Sequence, residues 1–185
     1  AAIGAGPGLG TEKETVDVIG QLVQKCKKPL VLDADALNIL SQNKRLLKHL
    51  PPNSILTPHP KEAERLFGPC PNDFERLQQA SEQAKELQCI VVLKGHHTFI
   101  ALPDGRNYFN STGNAGMAKG GSGDVLTGMI TSLLAQGYAP AHAAILSVYL
   151  HGAAGDAASV ALGQEAMLPI DLVQHLSTAF KTLSS

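Results

Sequence analysis

Asp124 follows a run of glycines, Gly116, Gly120, Gly121 and Gly123, and precedes an apolar stretch from Val125. Glycines so spaced let backbone N–H groups turn toward one point with no Cβ in the way. A helix starting near Gly123–Val125 would add the unpaired donors and partial positive charge of its N-terminus. Donors grouped this way form an anion hole suited to a phosphate in transfer. A carboxylate at its lip suits removal of a proton from a hydroxyl that attacks the phosphate. A second role is open to Asp124, that of a plain helix cap. The loop lacks the GK[ST] ending of a Walker A motif.

Four other features lie where ligands gather in parallel sheets, at the carboxyl ends of strands. Gly6-Pro-Gly-Leu-Gly10 follows the first strand candidate, Asp33-Ala-Asp35 the second, Thr57-Pro-His-Pro60 the third and Lys94-Gly95 the fourth. The glycines allow close backbone approach to a ligand, or simply a tight turn. Asp33 and Asp35 suit a metal or ribose hydroxyls, or one of them caps the helix through Ala36–Leu40. Two prolines fix the backbone around His59, and Glu62 falls in the first turn of the next helix. His96 and His97 are adjacent, and on a strand they would face opposite sides, which disfavours a shared metal. His151 and His175 have no partner at ligand spacing and read as packing or surface residues.

The elements that hold these residues follow from hydrophobic pattern. Short apolar runs at Ala1–Gly4, Pro29–Asp33, Ser54–Thr57, Ile90–Lys94 and Thr98–Leu102 read as strands. Val16, Ile19, Leu22 and Val23 recur at helical spacing, with Thr11 and Glu14 as a capping box. A second helix follows Asn72 or Asp73. Strand and helix in alternation predict a parallel sheet with helices on both faces. Pro103-Asp104-Gly105 joins Thr98–Leu102 to a strand at Arg106–Phe109 as an antiparallel hairpin. Helices are expected over Val125–Gln136, Ala139–Ser159 and Pro169–Leu183. The small residues of "AHAAILSVYLHGAAGDAA" point to close packing in the interior.

The 185 residues suffice for one domain. Hydrophobic residues make up 44% and charged residues 17%, a globular balance. A net charge of −1 gives no general attraction to nucleic acid or anionic membrane. Cys26, Cys70 and Cys89 are widely spaced and form neither a disulfide framework nor a zinc site, which fits a reducing, cytoplasmic setting. No apolar run is expected to approach the roughly 20 residues of a membrane span. The chain opens without Met, as though a strand were already ending, and is expected to be a piece of something longer.

Taken in order, "GPGLG", "VLDADALNIL", "LTPHPKEAERL", "VVLKGHHTFIA" and "NSTGNAGMAKGGSGDVLTGMI" resemble the NAD(P)H-hydrate dehydratase family of the ribokinase-like superfamily. The resemblance covers nearly all of the chain. Thiazole and hydroxymethylpyrimidine kinases share the anion-hole loop but usually lack the other motifs together.

The resemblance implies an α/β fold, three-layer α/β/α, with a mostly parallel central sheet. Residues 1–185 would be the C-terminal two-thirds of such a domain. Asp124 would be the catalytic base, and Gly120, Gly121, Ser122 and Gly123 the anion hole. Lys94, Gly95, His96, His97 and Thr98 would line the nucleotide site with Asn114, Ala115, Gly116, Met117, Ala118 and Lys119. Gly8, His59, Pro60, Lys61, Glu62 and Arg65 would contact the hydrated dinucleotide, together with Asp124. Glu62 matches the acidic position that organises magnesium-bound water in related kinases.

The implied activity is dehydration of the S epimer of hydrated NADH or NADPH, with ADP or ATP as phosphate donor and Mg2+. AMP or ADP and phosphate would be released. A homo-oligomer, tetrameric in this family, and an epimerase domain fused or acting alongside are also implied. Two other readings stand beside this one. One is a small-molecule kinase of the same fold, of hydroxymethylpyrimidine or thiazole type. The other is a nucleotide-binding module without catalysis, against which a lone carboxylate beside phosphates argues.

Overall fold

The computed structural model describes residues 2–183. Six strands form one sheet in the order β1 to β6, namely Ile3–Ala5, Leu30–Leu32, Ile55–Leu56, Ile90–Leu93, Phe99–Ala101 and Asn107–Phe109. The first four are parallel, and β5 and β6 run antiparallel to their neighbours. The expected hairpin is present, with Gly105 at φ 91° in its turn and Asp104 paired to Arg106. Ala1 of the first strand candidate lies outside the described residues.

Side-chain alternation divides the core into two layers. Leu30, Leu32, Leu56, Val91 and Leu93 face helices α1 (Lys13–Lys25), α2 (Ala34–Gln42), α3 (Pro60–Phe67) and α4 (Asp73–Glu86). Val31, Ile55, Ile90, Val92 and Ile100 face α5 (Ser122–Ala135) and α6 (Pro140–Leu162). Helix α7 (Pro169–Lys181) packs outside on α6. The strands advance in one direction, so right-handed crossovers put α1 to α4 on one face. The later helices cover the other, giving the expected three layers.

Some boundaries differ from expectation. Helix α1 is capped by Glu12 without a side-chain bond, not by a Thr11–Glu14 box. Its start is set by the preceding loop, where the Gly10 N–H is held by Asp35 Oδ2 at 2.9 Å and Thr15 Oγ1 reaches the Leu9 carbonyl. Asn72 caps α4 as expected. A 3₁₀ turn at Lys44–His49 had no sequence signal. Helix α5 begins at Ser122, before Val125, because Gly121 takes the left-handed conformation that ends the loop.

Helix α6 corrects the expectation that no segment is long and apolar enough to span a membrane. Its 23 residues are so by length and composition. Its apolarity answers to burial, since it lies against the sheet and α5 on one side and α7 on another.

The parallel ladder runs past the end of each strand. Asp33 N–H donates to the Ala5 carbonyl, Thr57 N–H to Leu32 and Lys94 N–H to Pro58, at 3.1, 3.1 and 2.8 Å. The strand-end residues are therefore fixed by the sheet itself, side by side along one edge.

Candidate active site

Asp33 is the hub of that edge. It is 1% exposed. Its Oδ1 accepts from the Ala34 N–H at 2.9 Å and from Lys94 Nζ at 2.6 Å. Its Oδ2 accepts from Thr127 Oγ1 of α5 at 3.0 Å. One carboxylate thus caps α2 and ties β2 to β4 and to the helix behind the glycine loop. Ala34 sits at φ 47°, a left-handed conformation that this bonding sustains. Of the readings open for the aspartate pair, Asp33 takes the cap, and Asp35 shapes the Gly6–Gly10 turn through its bond to Gly10.

Lys94 Nζ also lies 4.0 Å from Glu62 Oε2. Glu62 is 6% exposed and accepts from the His59 N–H at 2.8 Å. The His59 ring reciprocates: Nδ1 accepts from the N–H groups of Lys61 and Glu62 at 3.1 and 3.4 Å. The capping box is completed by a histidine ring where serine or threonine is usual. Burial lowers the His59 pKa, and Lys94 and Arg65 add to that against the opposing pull of Glu62 and Asp33. A neutral ring with its proton on Nε2 fits both contacts. Pro60, Lys61, Arg65 and Gly8 are exposed around this cluster.

The glycine-rich loop crosses to α5. Asn114 Oδ1 accepts from Gly116 N–H at 3.0 Å, and the Asn114 amide donates to Asp156 Oδ1 at 3.0 Å. Lys119 Nζ donates to the carbonyls of Gln164, Glu165 and Met167 at 3.1, 2.8 and 2.6 Å. Gly116 is buried and Met117 packs with Met167 and Leu172, while Ala115 and Ala118 are exposed. Gly95, His96 and His97 are exposed in the bend after β4, and Thr98 is half-buried. The two histidine rings meet edge to face at 4.4 Å, so they are neighbours and not on opposite faces. Among the described residues no three His, Cys, Asp or Glu side chains gather as a metal site.

At the junction Gly121 has φ 98° and supplies no capping side chain. The N–H groups of Gly120, Gly121, Gly123 and Asp124 have no acceptor among the described residues. Ser122 N–H is paired with the Lys119 carbonyl at 3.3 Å. Four unpaired donors at one helix start, with a positive dipole end behind them, can hold a phosphate. Gly123 admits no side chain without crowding, since a Cβ there would lie 3.3 Å from Lys94 Nζ.

Asp124 is exposed, caps nothing and bonds to no described residue. The capping role is thereby excluded. Its side chain borders an open hollow of ≈ 570 Å³ between β1 and α5, lined also by Gly6, Pro7 and Thr127. A larger hollow of ≈ 880 Å³ lies between α1 and the Lys44–His49 turn and contains none of the strand-end residues.

The chain is similar to known proteins over nearly its whole length. A family described as NAD(P)H-hydrate dehydratase matches residues 1–178. The chain belongs to that family. It is 47% identical over 180 residues to the bifunctional NAD(P)H-hydrate repair enzyme Nnr of Moorella thermoacetica, covering 96% of this chain and 34% of that protein. It is 48% identical over 158 residues to the ADP-dependent (S)-NAD(P)H-hydrate dehydratase of Neisseria meningitidis serogroup B, covering 82% and 53%. The solved ADP/ATP-dependent NAD(P)H-hydrate dehydratase of Bacillus subtilis, co-crystallised with ATP and Mg2+ and soaked with CoA, superposes with a TM-score of 0.84. That match has 36% identity and covers 98% of this chain and 66% of the other. The chain thus spans about a third to two thirds of the relatives it matches.

Three side chains of this candidate site gave no sequence signal for their contacts. Thr127 looked like an ordinary helix residue. His151 and Asp156 sit in the small-residue stretch that read as packing. His151 Nε2 lies 2.9 Å from the Ser122 carbonyl. A carbonyl only accepts, so this nitrogen carries the proton. Part of the residue reaches solvent, yet burial of the ring, opposed by the Ser122 bond and helped by Lys94, pulls its pKa down to about 4.

The unfolded His151 ring takes a proton near pH 6.5 and the folded ring near pH 4. Between those values the unfolded state binds more protons, so stability falls as pH falls through the window. The loss is about 3 kcal/mol when complete. Urea unfolding of wild type and His151→Asn at pH 7 and pH 4.5 checks it. The variant, which titrates nothing there, is expected to lose less.

Proposed function

We propose that the full-length protein removes water from the S epimer of hydrated NADH or NADPH, using ADP or ATP to phosphorylate the ring hydroxyl. The observation that carries this is the four unpaired N–H groups beside an exposed, unpartnered Asp124. In this reading Asp124 takes the hydroxyl proton as the oxygen attacks the terminal phosphate. The N–H groups of Gly120, Gly121, Gly123 and Asp124 hold the charge on the transferring group. Once esterified, the oxygen leaves as phosphate. The ring nitrogen lone pair expels it, and loss of a proton from the adjacent carbon restores the double bond. Water itself is too poor a leaving group for that step.

The nucleotide would lie along the bend at Lys94–Thr98 and the loop at Asn114–Lys119. The dinucleotide would lie over Gly8 and His59–Arg65. Lys94 Nζ and the Asn114 side chain are both engaged inward, so in this reading these segments meet the nucleotide chiefly through backbone. Mg2+ neutralises phosphate charge when it arrives with the nucleotide. The donor set fits an ion held by phosphates and water, with Glu62 touching it only through water, because no three-ligand cluster exists among the described residues.

An epimerase partner domain, as a bifunctional repair enzyme would carry, is part of this proposal. So is a homo-oligomer, for which α7 offers the exposed Ile170, Val173 and Phe180. Free Cys26, Cys70 and Cys89 fit a cytoplasmic location.

Phosphorus NMR of a reaction containing hydrated NADH, Mg2+ and ADP tests the reaction type. AMP, inorganic phosphate and regenerated NADH support dehydration. A lasting phosphoester signal would replace it with a kinase.

A further inference from the structure

The stretch His151-Gly-Ala-Ala-Gly-Asp156 lies in mid-α6, and its packing role leaves two polar side chains unexplained. Residues 151, 152, 155 and 156 share one helix face by their spacing. All four meet the glycine-rich loop. Asp156 Oδ2 accepts from Gly113 N–H at 2.8 Å, and Oδ1 accepts from the Asn114 amide at 3.0 Å. Asn114 in turn holds Gly116 N–H. One carboxylate therefore sets the path of the chain from Gly113 to Gly116. Gly152 and Gly155 are cut back to admit the loop: a Cβ on Gly152 would run into Thr112, and one on Gly155 into the Met117 sulfur. Thr112 Oγ1 seals this contact on the Tyr149 carbonyl at 2.9 Å. At the far end His151 holds the Ser122 carbonyl.

We infer that this face of α6 is the mould that shapes the phosphate-binding loop, and that Asp156 is a positioning residue for the reaction carried out there. The unpaired donors at Gly120 and Gly121 lie in the chain between the Asp156 and His151 anchors, and the Gly123 N–H shares its peptide with the Ser122 carbonyl that His151 holds. A shift at either anchor moves them relative to Asp124. Donors fixed in advance stabilise a transferring group far better than donors that must reorganise. A packing face alone would not place a carboxylate there, because its desolvation has to be offset by bonds to both oxygens. The inference rests on the proposal that the loop holds the nucleotide phosphates.

A swap of functional groups tests it in the full-length protein. In Asp156→Asn the new side chain still accepts from Gly113, but its amide faces the amide of Asn114. In Asn114→Asp two carboxylates face each other. In the double variant N114D/D156N the amide at 156 donates to the carboxylate at 114, and all three hydrogen bonds return with net charge unchanged. Each single variant is expected to lose about 10- to 100-fold in kcat and to bind ADP more weakly by calorimetry. The double variant is expected to regain most of both. Single variants that turn over and bind ADP like wild type would overturn the inference. So would a double variant whose melting temperature recovers while kcat and ADP affinity do not. ADP binding reads the loop without the chemistry. If wild type dehydrates nothing, yet ADP binding falls in the singles and returns in the double, the mould stands and the dehydratase reading falls.

Discussion

Asp124→Asn is expected to reduce turnover of hydrated NADH by about 10³-fold, the scale of a well-placed general base. ADP affinity should stay near wild type or rise, because a negative charge beside the phosphates is removed. The fold should barely notice. Asp124 is exposed and bonds to no described residue. Its one structural asset is its place in the first turn of α5, worth about 0.3–1 kcal/mol against the helix dipole. Turnover, calorimetric ADP binding and a urea melt on the same preparation separate these effects. Lost turnover with retained binding and stability identifies a base. Retained turnover would remove Asp124 from the mechanism.

The second large effect is on stability. Lys94→Met leaves Asp33 and Glu62, with side chains only 2% and 7% exposed, without the ammonium they share. Removing one partner of a buried pair costs more than the pair was worth, because the other charge remains. Lys94 is itself 22% exposed, so the expected loss lies at the lower end, about 3 kcal/mol. Asp33→Asn in the Lys94→Met background should recover part of it, since the stranded charge is then gone. A urea denaturation cycle over the four proteins measures the coupling. Unchanged stability in Lys94→Met, with only nucleotide affinity reduced, would show that the ammonium works at the ligand and not within the protein.

Much of this edge could be read from local pattern. Strand–loop junctions carry their own punctuation, as in Gly6–Gly10, Thr57–Pro60 and the run from Gly113 to Gly123. Apolar runs of four or five residues located the first five strands to within two residues, and the Pro103–Gly105 turn located the sixth. What stayed hidden depends on partners far apart in sequence. Lys94 and Asp33 are 61 residues apart, and Asp33 and Thr127 are 94 apart. No spacing rule links them, so Lys94 read as a nucleotide-site residue and Asp33 as a metal or ribose ligand or one of two possible caps. Asp156 was hidden differently. It sits among alanines and glycines whose apolar pattern spoke for packing, and only the docked loop shows what its carboxylate does. The Thr11 box failed because a capping signature is local, while the start of α1 is set by Asp35 on another element. His59 escaped as a cap because a ring nitrogen does the work usually done by a hydroxyl.

The most direct test of the central claim is recovery of the reduced-nicotinamide absorbance. The full-length protein is mixed with hydrated NADH and Mg2+, and ADP or ATP is added in turn. A rise that depends on the nucleotide and is lost in Asp124→Asn is the predicted result. No rise with either nucleotide, from a protein that still binds them, would contradict it.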